Sequence, residues 1–198
     1  MEQISHLPRP LHILDLGGTE TYWESMGLND PAISVTLLNL EPQAIKNSER
    51  FKALQGDVCD LSAWADKSVD LVYSNSVIEH LYSLDNQAKM AKEVGRVGKS
   101  YFIQTPNYYF PIEPHWMLPG FQFLPKGLKV ALTRWGNFGY IKRKASQKDA
   151  INQVDEVRLL SMKEMQALFP EANIYTEYWL GMVKSISAYI ISAEIDDR

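Results

Sequence analysis

The chain has 198 residues, 45% of them hydrophobic and 11% aromatic, and a formal net charge of -4. That length and apolar content suffice for one well-buried core, and the acidic balance excludes a globally nucleic-acid-binding surface. A lone Cys59 excludes an internal disulfide, no basic-then-apolar leader is visible, and no apolar run reaches the ~20 residues of a membrane span, so a cytoplasmic protein is expected. The charge is uneven: seven basic and no acidic residues lie between Lys126 and Lys148, against 13 basic and 24 acidic elsewhere. One basic surface on an acidic body follows.

Ile13, Leu14 and Leu16 form an apolar run with Asp15 near its end, and Gly17-Gly18 follow. That pattern predicts a buried parallel strand entering a tight turn, with Thr19 capping a helix over 20–26 that Gly27 stops. Strand, glycine turn and helix N-terminus make a nucleotide-sized corner, the competing reading being an ordinary strand-to-helix turn. The dinucleotide pattern G-x-G-x-x-G is absent.

Residues 34–40 predict a second strand ending at Glu41, where folds of this type bind a ribose. Pro42, at the favoured first helical position, gives Glu41 a competing role as a helix cap. Residues 51–55 read as a third strand. Asp57 beyond it is placed to accept from an exocyclic amine with Val58 against a base ring, or else to open a turn toward Asp60. Residues 68–75 read as a fourth strand whose polar end, Ser74-Asn75, lies where open α/β sheets bind ligands, and Glu79-His80-Leu81 follows.

Leu84, Ala88, Ala91, Val94 and Val97 fall on one helical face ended by Gly98, and a fifth strand over 101–105 stops at Pro106. Unbroken alternation of strands and helices from Ile13 to Thr105 predicts an α/β fold, a Rossmann-like doubly wound sheet, mostly parallel. Near the end, Ser161-Met162-Lys163-Glu164 is a capping-box sequence, with Met162, Met165, Leu168 and Phe169 as the apolar stripe. The β-rich runs 172–180 and 184–193, joined around Gly181-Met182, predict an antiparallel C-terminal hairpin. A single domain over 1–198 is expected, interrupted by an aromatic- and proline-rich, then basic, insertion at about 107–150.

These residues, in this order, resemble the class I S-adenosylmethionine-dependent methyltransferases, of the small-molecule or glycan type with Glu-His-Leu after the fourth strand. The resemblance implies S-adenosylmethionine as cofactor, bound by Asp15, Gly17, Gly18, Glu41, Asp57, Val58, Ser74 and Asn75. Glu41 would hold the ribose hydroxyls, Asp57 would face the adenine amine, and Ser74-Asn75 would border the methionine amino group. Two features depart from the pattern: Glu20 stands where a third glycine is usual, and the segment before the first strand is short, with Pro8 and Pro10. A non-catalytic methyltransferase-like S-adenosylmethionine-binding module is therefore the alternative. A nicotinamide oxidoreductase is disfavoured by the missing glycine pattern.

Methyl transfer from a sulfonium needs chiefly in-line alignment at ~3 Å. A base is needed only for a protonated acceptor, and His80, then His115, are the candidates, each with the competing reading of a hydrogen-bonded structural histidine. No His, Cys, Asp or Glu group has metal-ligand spacing, so no metal is expected. Tyr108, Tyr109, Phe110, Trp116, Phe121 and Phe123, among prolines, mark a substrate region or a local mini-core. Leu128, Ala131, Leu132 and Trp135, flanked by Lys126, Lys129 and Arg134, suggest weak peripheral contact with an anionic membrane or phosphorylated acceptor, or an ordinary solvated face. The stretch from Thr105 to His115 is similar to one in methyltransferases of polysaccharide and glycolipid assembly, which favours O-methylation of a saccharide, lipid-linked glycan or other small molecule. Nucleic acid is not an expected partner, and a homo-oligomer is left open.

Overall fold

The computed structural model describes residues 7–41 and 43–192. Pro42, expected to open a helix, and Ala193, expected to end the last strand, lie outside them. A seven-stranded sheet carries the fold, formed by β1 (Leu11–Leu16), β2 (Ile33–Asn39), β3 (Phe51–Gln55), β4 (Val69–Asn75), β5 (Gly98–Pro106), β8 (Asn173–Trp179) and β9 (Met182–Ile190). The strand order is β3-β2-β1-β4-β5-β9-β8, and a two-stranded ribbon of β6 (Ile112–Glu113) and β7 (Leu118–Pro119) lies apart. β1 to β5 pair in parallel, and in this sheet β9 runs against its neighbours, β5 on one side and β8 on the other. The expected hairpin is present, but its reversed strand is inserted beside β5 while β8 takes the edge. Leu180 and Gly181, both at positive φ between the paired Trp179 and Met182, make the two-residue connection that matches strand twist.

The alternation of side chains sorts the strand residues onto two faces. Leu14, Leu16, Leu38, Val72 and Ile103 point to the face covered by α2 (Leu84–Val97) and α5 (Met162–Leu168). Leu11, Ile13, Val35, Leu37 and Leu71 point to the other, covered by Trp23 and Tyr22 of α1 (Glu20–Ser25) and by Leu7 and Leu28. Burial on both faces is why these strands read as near-continuous apolar runs.

The unbroken alternation of strand and helix is corrected in two places. Residues 43–50 and 56–68 contain no helix, so β2–β3 and β3–β4 are joined by loops. The first of these loops is tied down from outside: the buried Glu20 carboxylate accepts from the Lys46 and Asn47 amides at 2.6 and 2.8 Å. Those donors are thereby satisfied without a helix.

The face of α2 also differs. Leu84 is exposed, and Gln87 and Met90 are buried beside Ala91, Val94 and Val97. A glutamine is tolerated there because its amide nitrogen donates to the Ile78 and Arg158 carbonyls while Arg158 donates to its oxygen. The capping box of α5 forms as expected, with Ser161 and Glu164 bonded reciprocally.

The insertion builds a third apolar cluster of Trp116, Phe121, Val130, Ala150 and Val154 between α3 (Lys126–Trp135) and α4 (Gln147–Glu156). Trp116 stacks on Phe121 at 4.4 Å and donates to Thr133 at 3.0 Å. α3 therefore buries Val130 and Thr133, while Leu128 and Trp135, expected on one apolar face of the helix, are 54% and 77% exposed.

Candidate functional site

The carboxyl ends of β1 to β4 are bonded to one another. The Gly17 amide donates to the Leu38 carbonyl at 2.8 Å and the Gly56 amide to the Asn39 carbonyl at 2.9 Å. Asn39 donates to the Gly18 carbonyl at 3.0 Å, and buried Ser74 to the Leu16 carbonyl at 3.0 Å. The predicted residues Asp15, Gly17, Gly18, Ser74 and Asn75 thus sit at the ends of the paired strands β1 and β4, with Glu41 just past β2 and Asp57 and Val58 just past β3.

Sequence order alone does not assign their contacts. Asp15 is 1% exposed, and its carboxylate accepts from the Trp23 indole at 2.6 Å. Burial pushes its pKa up to about 7, partly opposed by that hydrogen bond. A Cβ on Gly18 would lie 1.6 Å from the Asp15 carboxylate. Asp15 therefore underlies the turn and shapes it from beneath. Gly17 has φ +83, and a Cβ there would meet Val77 at 2.5 Å. Space requires glycine at both positions, and backbone conformation requires it at Gly17 as well.

Asn75 donates to the Tyr22 hydroxyl at 3.1 Å, which bonds in turn to the Tyr73 hydroxyl, so the end of β4 is fastened to α1. Glu20 is turned to the β2–β3 loop. Glu41 is exposed, and Asp57 is exposed with one carboxylate oxygen taking the Cys59 amide at 2.8 Å. Val58 is buried in the core, and a cavity of about 450 Å³ lies beside Gly56 and Asp57 with Leu38, Leu54 and Trp64 as apolar wall. An acid beside an apolar wall suits an adenine ring.

Beyond β4 the chain forms a 3-10 turn, Ile78–His80, braced by Gln87 and by the Arg158 amide on the Glu79 carbonyl at 2.7 Å. Glu79 is fully buried, and one of its oxygens accepts from Thr105 at 3.0 Å. The rings of His80 and His115 meet edge to face, Nε2 to Nε2 at 3.1 Å. His115 donates from Nδ1 to Glu113 at 2.6 Å, and Glu113, 2% exposed, also takes the His115 and Trp116 amides. Burial, then the neighbouring His115, lowers His80 to about 4, while burial raises Glu79 to about 7. For His115, burial is outweighed by Glu113 and the pKa rises.

The two candidate bases, 35 residues apart in sequence, thus form one cluster with Glu79 and with Glu113, a carboxylate to which the sequence assigned no role. Although no sequence spacing marks a ligand set, ligand atoms of Glu79, His80 and His115 lie within 4.8 Å of one another. Long-range pairing of the β4 end with the insertion produced this grouping, so no local spacing could signal it. A second cavity, of about 490 Å³, shares Glu113 with the cluster and is lined by Tyr108, Tyr109, Gln122, Lys129 and Arg158 among others.

The geometry and the strand order define a doubly wound sheet of methyltransferase type. Residues 14–101 match a family described as a methyltransferase domain. That segment is 88 of the 198 residues, and the seven-stranded sheet around it is similar in fold to the class I S-adenosylmethionine-dependent methyltransferases, a class whose cofactor is S-adenosylmethionine. An uncharacterized protein of Mycobacterium tuberculosis (strain ATCC 25618 / H37Rv) is 39% identical over 57 residues, or 29% of this chain and 20% of that protein. The match thus spans about a fifth of that relative's length.

Among solved structures, an S-adenosylmethionine-dependent methyltransferase of Methanosarcina mazei is similar with TM-score 0.53 and 15% identity, over 93% of this chain and 92% of that one. A protein in complex with the Haloferax volcanii Trm112 methyltransferase activator gives 0.57 and 13%, over 95% and 85%. A Rhodobacter sphaeroides protein under a zinc-dependent alcohol dehydrogenase name gives 0.60 and 10%, over 95% and 86%. Likeness at these identities is likeness of fold.

Proposed function

We propose that the chain is an enzyme that transfers the methyl group of S-adenosylmethionine to a hydroxyl of a small molecule, saccharide or lipid-linked glycan, in the cytoplasm. The supporting observation is juxtaposition: a glycine corner with exposed Glu41 and Asp57 lies along the same sheet edge as the Glu79-His80-His115 cluster, beside an aromatic and polar cavity. Glu41 holds the ribose and Asp57 the adenine, while the end of β4 borders the methionine. The acceptor enters by the cavity of Tyr108, Tyr109 and Gln122, and its hydroxyl proton is handled at His80 and His115. Aromatic faces with hydrogen-bonding groups between them suit a sugar ring. Exposed Leu128 and Trp135 beside Arg134 suit a lipid-linked acceptor held at an anionic surface.

Calorimetry with S-adenosylmethionine and its demethylated product tests the reading. Both are expected to bind, and Glu41→Gln to weaken binding ~10-fold, the size of one hydrogen bond to a charged group. Absence of heat with either ligand would refute the proposal. Binding without transfer to any hydroxyl acceptor would favour the non-catalytic binding module.

A further inference from the structure

We propose that Glu79, His80 and His115 form a divalent-cation site, two imidazoles and one carboxylate, that takes an oxygen of the methyl acceptor as a further ligand. The proposal rests on the methyl-transfer reading for its acceptor, not for the site itself.

Hydrogen-bond accounting is the first argument. His115 donates from Nδ1 to the Glu113 carboxylate, so its Nε2 presents a lone pair in the neutral ring. Facing it at 3.1 Å is His80 Nε2, while His80 Nδ1 is buried without a partner and Glu79 Oε1 likewise. With His115 neutral and no cation, His80 uses its only N–H toward His115 and leaves Nδ1 bare. With one, both Nε2 lone pairs and Glu79 Oε1 become ligands. The His80 N–H then moves to Nδ1, which faces Glu156 at 3.6 Å. One ion thus takes up the orphaned Glu79 Oε1 and turns His80 Nδ1 into an N–H directed at a carboxylate.

Geometry is the second. Zinc-type bonds of ~2.0 Å set ligand atoms ~3.3 Å apart around a tetrahedron, and the two Nε2 atoms are already at 3.1 Å. The carboxylate must close in from a spread of up to 4.8 Å, a short movement for a side chain held by one hydroxyl.

Support behind the ligands is the third. Glu113 fixes the tautomer and aim of His115, an arrangement typical of metal-bound histidines, and is itself locked by two backbone amides. Imidazole and carboxylate together suit zinc, cobalt or manganese, and three protein ligands leave coordination open for an acceptor. A hydroxyl bound there loses its proton to solvent more readily, so with the cation in place the two histidines act on that proton through the ion and not as bases. The hydroxyl oxygen bonds the methyl carbon as the carbon–sulfur bond breaks, and that bond's electron pair stays on sulfur.

Chelator-stripped protein titrated with Co²⁺ provides the test. The expected result is one Co²⁺ per chain with a visible absorption band of low-coordinate cobalt. His115→Gln and Glu79→Gln should abolish it, and Glu113→Gln should weaken binding ~10–100-fold. Wild-type protein without the band, or folded His115→Gln with unchanged affinity, overturns the proposal. Should the ligand variants unfold, the wild-type titration still decides. S-adenosylmethionine binding is measured separately. Cofactor binding without Co²⁺ binding removes the cation site alone, whereas Co²⁺ binding without cofactor binding removes the methyl-transfer reading alone.

Discussion

Gly18→Ala is expected to cost about 3 kcal/mol of folding stability and to weaken S-adenosylmethionine binding, because one methyl group has nowhere to go. Its Cβ would fall 1.6 Å from the Asp15 carboxylate. That carboxylate is 1% exposed and held by Trp23 at 2.6 Å, so it can swing away only by giving up its hydrogen bond inside the core. Moving the turn instead would strain the Gly17 amide bond to β2 and the Asn39 bond to the Gly18 carbonyl. A double-mutant cycle checks the cause. In an Asp15→Ala background the clash partner is gone, so the additional cost of Gly18→Ala should fall to a small fraction of its single-variant value. Equal costs in both backgrounds, read from denaturant midpoints, would remove Asp15 as the reason for the glycine.

Asp15→Asn is expected to change the pH dependence of stability by about 4 kcal/mol across the range from pH 3.8 to about 7. Burial raises the folded-state pKa of Asp15 to about 7 from 3.8, so over that window the native protein keeps a proton that the unfolded chain has lost. The unfolded state binds fewer protons there, and wild-type stability therefore falls as pH rises, levelling above about 7. Asparagine has no proton to lose and can still accept from Trp23, so the variant gains on the wild type with rising pH. Glu79 has the same sign of shift, but it is present in both proteins and cancels in the difference. Parallel denaturant titrations at pH 4.5 and pH 8 measure the effect. A stability difference independent of pH would mean that Asp15 is ionised in the folded state.

Both predictions concern a corner whose residues were legible in the sequence and whose contacts were not. Asp15 looks, by position, like a cofactor contact; packing makes it the floor of the glycine turn. Glu20 looks like an obstruction in that turn; its carboxylate instead ties down a loop where a crossover helix was expected. The two histidines ranked as separate candidates turn out to share one hydrogen bond, and Glu113 behind them carried no local signal at all.

Elements with strong local periodicity or capping chemistry were determined by the chain itself: the five parallel strands, α1 with its Thr19 cap, the Ser161–Glu164 box, and a chain reversal expected around Gly181-Met182 and found one residue earlier, at Leu180-Gly181. Such features depend on neighbours within a few residues, and an apolar run or a cap keeps its meaning wherever the segment ends up. Tertiary structure alone decided that β9 enters between β5 and β8, that Gln87 is buried under the Ile78–His80 turn, and that His115 crosses from the insertion to meet His80. Each of these joins groups far apart along the chain, where a buried polar atom takes whichever partner folding delivers.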